Sequence, residues 1–225
     1  MKLFAKLAIL AALALPAAAH AAPDLSGIWS ITGYRPGLKT LDGKAPPLKP
    51  AAQAVYAKHL AAAAKGDKSY DEVEACLPEG LPRLMLGPKP FEIIQRPRGV
   101  FFVHQNRLVH TAYFNEQLPT DADPFYLGFS VARWDGDALV VDSSGFRDTT
   151  LLDDKGLPHS EALRLTERYT LGKGGKTLSV RTTVTDPNTF TAPWSFRATY
   201  ARKPAGFQMP EEICAEKLYA KKAKG

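Results

Sequence analysis

Glu167, His110, Arg133 and Tyr169 are the side chains of this 225-residue chain whose types and positions suit acid–base chemistry. A carboxyl group taken out of water has its pKa raised toward neutrality, which is what a general acid or base needs. An imidazole at an apolar position can move the same proton, and a guanidinium or phenol can stabilise a developing oxyanion. Each also has a plainer reading. Glu167 can be a structural partner of Arg133 or of a tyrosine, and His110 a core histidine satisfied by hydrogen bonds. His159-Ser160-Glu161 looks like a nucleophile with helpers only along the chain; neighbours in an extended segment point apart, so Ser160 reads as a cap. The acidic loop residues Asp121, Asp123, Asp148, Asp153 and Asp154 lack the spacing of a calcium loop. Gly172-Lys173-Gly174-Gly175 lies between strands, whereas a phosphate loop needs a following helix. The expectation is a site with no metal and no cofactor.

The elements that would position these residues are strands. From Ala162 to Val184 the chain alternates about Gly172–Gly175, placing Leu163, Leu165, Glu167 and Tyr169 opposite Leu178, Val180, Thr182 and Val184 on one dry face. Arg164, Thr166, Arg168, Ser179, Arg181 and Thr183 take the wet face. Upstream, Phe91–Gln95, Val100–His104 and Leu108–Phe114 read as a meander with a turn at Gln105-Asn106. That register groups Glu92, Ile94, Phe101, Val103, Leu108 and His110, with His104 on the other side. Asp135-Gly136 is the signal of a two-residue type I′ hairpin pairing Trp134 with Asp137. Arg133 and Asp142 then share a face with Phe129, Val131 and Val140; if that face is interior they need partners, and an ion pair between them is one arrangement that supplies them. The last strand, Trp194–Arg202, alternates Trp194, Phe196, Ala198 and Tyr200 against Ser195, Arg197 and Thr199. About nine strands joined in sequence predict an all-β, up-and-down antiparallel barrel, since closure leaves no exposed edge.

Residues 1–21 read as a signal peptide, with Lys2 and Lys6 around a short apolar run and cleavage near Ala21. The remainder, 22–225, is one barrel domain in the periplasm or outside the cell. No other apolar stretch could cross a bilayer. Removing Lys2 and Lys6 lowers the formal charge from +6 to about +4, and the basic run Lys217–Lys224 reads as a solvated tail rather than a nucleic-acid contact. Exported context makes a Cys76–Cys214 disulfide the default. Residues 33–90 interrupt the strands with a Pro-rich segment and a helix from Pro50 through Ala64, stopped by Gly66, and read as a cover over the barrel. Residues 203–225 form a C-terminal extension.

Asp24 to Ile31 opens the mature chain with Gly27-x-Trp29, the pattern with which lipocalins and related calycin barrels begin. There the Trp packs against an Arg of the last strand, a role open to Arg197 or Arg202. The longer string Ser130-Val131-x-Arg133-Trp134-Asp135-Gly136-Asp137-x-Leu139-Val140-Val141-Asp142, followed by Gly145-Phe146, Leu157-Pro158-His159-Ser160-Glu161 and Glu167-Arg168-Tyr169, is similar to a family of exported, mostly uncharacterised bacterial proteins. Many relatives carry Gly-His-Ser where this chain has Gly128-Phe129-Ser130. The resemblance implies a lipocalin-like barrel in the cell envelope and no substrate.

Three functions fit. The barrel can bind a small hydrophobic or aromatic molecule inside, with Phe101, Trp194, Phe196, Tyr200 and Tyr169 as walls and Glu167, Arg133 or Asp142 as polar groups. It can be a cofactor-independent isomerase, lyase or cyclase working through Glu167 or His110. Or it can be an envelope interaction module with a packed interior. The oligomeric state is left open.

Overall fold

The structure is a computed structural model that describes residues 22–121 and 123–214. Nine strands close into one barrel in chain order: β1 (Gly27–Ile31), β2 (Phe91–Arg96), β3 (Gly99–His104), β4 (Val109–Phe114), β5 (Phe129–Asp135), β6 (Ala138–Ser144), β7 (Arg164–Leu171), β8 (Thr177–Thr185) and β9 (Trp194–Arg202). The all-β barrel is as expected, but its strands are not all antiparallel. A closed ring with an odd number of strands cannot alternate direction at every junction, so one parallel junction is required by parity. It falls between β4 and β5, where only three residue pairs are made: Ala112↔Ser130, Tyr113↔Val131 and Phe114↔Ala132. The connection over residues 115–128 is long enough to carry the chain back along the wall, which a two-residue turn is not.

The alternation read from β7 and β8 is reproduced residue by residue. Leu165 pairs with Val184, Glu167 with Thr182, and Tyr169 with Val180, and all six side chains are buried. At the β5/β6 hairpin the turn residues are Gly136 and Asp137, and only Gly136 takes a positive φ. Trp134 therefore pairs with Leu139 rather than Asp137. The shift is by two residues, so each side chain keeps its face.

β1 closes the barrel between β2 and β9. Arg202 of β9 lies over the Trp29 ring, 4.3 Å from its centre, and donates to the carbonyls of Gly175, Ser26 and Asp24. Of the two arginines open to this role, Arg202 takes it. Gly27 sits at φ +135°, and a Cβ there would lie 2.5 Å from Arg202 Nη1. The glycine of Gly-x-Trp thus makes room for the arginine that covers the tryptophan.

Helix α1 (Pro50–Ala64) has the predicted bounds, with Pro50 in its first turn, yet it buries no residue. The covering is done by the next segment. Leu81, followed by Leu84 and Met85 of the short helix α2 (Arg83–Leu86), joins the buried cluster that fills the barrel, and the Met85 carbonyl accepts the Tyr200 hydroxyl at 3.1 Å. Arg83 fastens this cover, binding Asp71 through two nitrogens and Asp154 through a third. The Cys76–Cys214 disulfide forms, with Cα atoms 5.7 Å apart. The expected signal peptide and basic tail lie outside the described residues. Among the described residues no helix is long and apolar enough to cross a membrane.

Candidate functional site

The part of the barrel interior around Glu167 and His110 is built from inward positions of seven strands. Phe91, Ile93, Phe102 and His104 come from β2 and β3, and His110 and Ala112 from β4. Ser130 and Ala132 come from β5, Leu139, Val141 and Ser143 from β6, Glu167 and Tyr169 from β7, and Trp194, Phe196 and Tyr200 from β9. Aromatic rings make up one side: Phe91 meets Tyr200 edge-on at 5.2 Å, and Phe102 stands 5.4 Å from Tyr169. The β4–β6 side is small and polar. His110 Nε2 is 2.7 Å from Ser130 Oγ, which is 2.6 Å from Ser143 Oγ, and the His110 ring stacks on Phe102 at 5.1 Å.

Glu167 is buried as its alternation requires. Burial pushes its carboxyl up to about 7, and the neighbouring Tyr169 hydroxyl opposes this in part without reaching hydrogen-bond geometry. Burial, reinforced by the Glu167 charge, drives the Tyr169 hydroxyl well above its ordinary value. Both interior histidines are pushed down by burial, His110 to about 4 and His104, which also feels His110, to about 3. They are neutral in the folded protein at physiological pH. Among the described residues, five interior polar atoms have no hydrogen-bond partner: Glu167 Oε2, Tyr169 OH, His104 Nε2, His110 Nδ1 and Trp194 Nε1. An unpaired buried polar group costs about 1–3 kcal/mol, so such a concentration is unusual in an interior that serves packing alone.

Three sequence expectations are corrected. His104 and His110 face the same side, because β3 and β4 pair with Val103 opposite Val109, one residue out of the register a Gln105-Asn106 turn would give. The longer turn is closed by Arg107 at φ 66°, and a one-residue slip moves a whole strand to the other face. Phe101 stands on the outer wall and Phe102 on the inner one; the Phe-Phe pair carries no signal of which ring turns in. Arg133 and Asp142 do share a face and do form an ion pair, but that face is the outer one, where Thr166 also binds Asp142. Arg133 is thus neither the partner of Glu167 nor an interior oxyanion group. Trp194, Phe196, Tyr200 and Tyr169 are interior as expected.

His159 and Ser160 belong to the scaffold. His159 Nε2 meets Thr150 Oγ1 at 2.8 Å, and Ser160 donates through its backbone N–H and its hydroxyl to Asp186. Asp153 likewise accepts the backbone N–H groups of Leu38, Lys155 and Leu157. Nothing in the sequence marks Ser130, Ser143 or Phe102 as site residues, and His104 reads as facing away from His110. Ser130 shares the even-numbered face of β5 with Ala132 and Trp134, and alternation does not say which face of that strand turns inward.

The outer wall carries a groove at the β4/β5 seam. It measures about 550 Å³ and is lined by Val109, Tyr113, Leu127, Phe129 and Val131, by the polar Arg98, Thr111, Glu116 and Gln117, and by His110 and Ser130. Val109 and Tyr113 are 47% and 45% exposed, which marks the wall as apolar surface open to solvent. The three-pair junction ends at Ser130, so below it no ladder joins His110 to β5, and His110 and Ser130 lie directly behind the groove, 2% and 6% exposed. Compared with known proteins, the chain matches no protein-family model, no curated protein and no solved structure.

Proposed function

We propose that the barrel binds a small hydrophobic or aromatic molecule carrying one hydrogen-bonding group, and that the ligand enters at the β4/β5 seam. The observation that carries this reading is the groove itself. Val109, Tyr113, Leu127, Phe129 and Val131 give it an apolar and aromatic wall, Arg98, Thr111, Glu116 and Gln117 add polar groups to its lining, and its volume of about 550 Å³ is within the size range of small-molecule sites. A ligand seated there puts its apolar body against Val109, Tyr113 and Phe129, and its polar group meets His110 or Ser130, 2% and 6% exposed, as the seam loosens. Farther in, the side chains are nearly inaccessible, with Phe102, Val141 and Tyr169 at 0% exposure. Deeper entry toward Glu167 therefore requires the seam to part.

The test is a thermal-shift screen of the mature protein against aromatic and alicyclic alcohols, phenols and carboxylic acids, followed by titration calorimetry on the compounds that stabilise it. Losing the hydrogen bond in His110→Phe, which keeps an aromatic ring and removes the polar nitrogens, should weaken binding about tenfold. Val109→Asp should weaken it by placing a charge on the apolar wall. A ligand bound equally well by both variants would place the site elsewhere, and no stabilising compound in any of these classes would reject the reading.

One observation favours a second reading, proton transfer without a cofactor. Glu167 is held near neutrality beside Tyr169, the condition in which a carboxyl group both takes and gives a proton. This reading requires Glu167→Gln to abolish turnover of a bound compound while leaving its affinity intact.

A further inference from the structure

The outer wall of β7, β8 and β9 has a composition unlike the rest of the surface. Its outward positions carry Arg164 and Arg168 on β7, Arg181 on β8 and Arg197 on β9, and no aspartate or glutamate. Three of these arginines form a row. Arg168 is the register partner of Arg181, and Arg181 of Arg197, so the three stand side by side on adjacent strands, all exposed. Neighbouring strands are about 4.8 Å apart, so the row spans about 10 Å.

Like charges directly opposite each other destabilise a sheet. This row is relieved at one end only, where Arg168 binds Asp135. Among the described residues Arg181 and Arg197 have no carboxylate partner; Arg197 reaches only the Ser179 hydroxyl, at 3.3 Å. The barrel thus holds an uncompensated cationic strip on a broad, slightly curved face. A ligand with anionic groups at one-strand intervals would relieve it.

The side chains around the strip say which anion. Thr166, Thr170, Ser179, Thr183 and Thr199 flank the arginines, so the wall offers hydroxyl groups on both sides of the charge. No aromatic ring points outward from these strands, which removes the stacking that single-stranded nucleic acid uses. Nor is there a large apolar side chain to enter a bilayer. Guanidinium forks for planar carboxylates, with hydroxyls beside them, suit a chain of sugar acids, whose carboxylates recur along an extended polymer otherwise made of hydroxyl groups. We infer that the β7–β9 wall is a docking surface for a linear acidic polysaccharide, a polyuronate, held by Arg168, Arg181 and Arg197. The site lies on the outside of the barrel and is independent of the seam groove.

The experiment is titration calorimetry of the mature protein with polygalacturonate oligomers at low salt, repeated as salt is raised. Replacing Arg181 and Arg197 together by serine, a residue this wall already carries, should weaken binding at least tenfold and flatten its salt dependence. Removing two charges elsewhere, with Lys58→Ser and Lys65→Ser on and just after α1, should leave binding within twofold. Neutral dextran should not bind. Because the row is repulsive, the melting temperature of the Arg181/Arg197 variant should not fall, which separates lost binding from lost folding. Binding unchanged in that variant would overturn the inference. So would arginine-dependent binding of phosphatidylglycerol vesicles or a single-stranded oligonucleotide without binding of polygalacturonate.

Discussion

Glu167 binds its proton more tightly in the folded chain than in the unfolded one. Its pKa rises from 4.5 to about 7, so between those values the folded state holds more protons, and stability falls as pH rises through that window. The shift corresponds to about 3 kcal/mol lost by pH 8 and fully regained below pH 4.5. His104 and His110 act in the opposite sense. Their folded values lie below the ordinary 6.5, so the stability they confer is present above 6.5 and lost as pH falls toward 4 and then 3. Urea unfolding of Glu167→Gln against wild type across pH isolates the carboxyl. The variant's advantage should be near zero at pH 4 and grow to about 3 kcal/mol at pH 8; a pH-independent difference would show that Glu167 does not titrate in this range. At the other end of the motif set, Gly27→Ala forces a Cβ against Arg202 at a backbone angle suited to glycine, and should cost about 2 kcal/mol in the same assay.

Among the elements, the β4/β5 junction has three residue pairs where β7/β8 and β8/β9 each have eight. Local opening follows the number of contacts that must be given up together. Amide hydrogens of β4 should therefore exchange at least about tenfold faster than those of β8, and a seam ligand should slow β4 selectively. Equal protection of the two strands would remove the entrance the binding proposal depends on. The covering segment divides in the same way. Leu81 is fully buried and Leu60 on α1 is 39% exposed, so Leu81→Ala should cost about 2–5 kcal/mol and Leu60→Ala less than about 0.5 kcal/mol. In the sequence the whole of residues 33–90 reads as the cover. The weak apolar stripe of α1 could not say that the helix contributes no buried side chain, while Leu-Pro-Arg-Leu-Met does the packing.

At the scale of the whole molecule, one covalent bond ties the cover to the chain end, joining residues 138 positions apart. In the chain-entropy model a loop of that length stabilises the folded state by about 5 kcal/mol. Replacing Cys76 and Cys214 together by serine should lower the urea midpoint accordingly, and an unchanged midpoint would mean that the unfolded chain is already held compact. The seam groove and the arginine wall lie on different strands, so small-molecule and polysaccharide binding should be separable by mutation.

How much of this was legible beforehand follows from what alternation can and cannot express. Period two along β7, β8 and β9 determined that Glu167 and Tyr169 share a face with Leu165, because half a strand must face the core whatever its partners are. The helix at Pro50–Ala64 was readable from its proline, its alanines and its closing glycine, all local effects. Relations between strands were not. The face taken by His110 depended on one residue in the turn before it, and the placing of Arg133 and Asp142 outside depended on which side of β5 the barrel wraps around. Both sides of that strand mix apolar and polar residues, so pattern alone is neutral. Parity demanded a parallel junction somewhere in a closed ring of nine, but only the tertiary structure put it at β4/β5. That choice brings His110 to Ser130 and opens the wall beside them, because a three-pair ladder ends where their side chains meet.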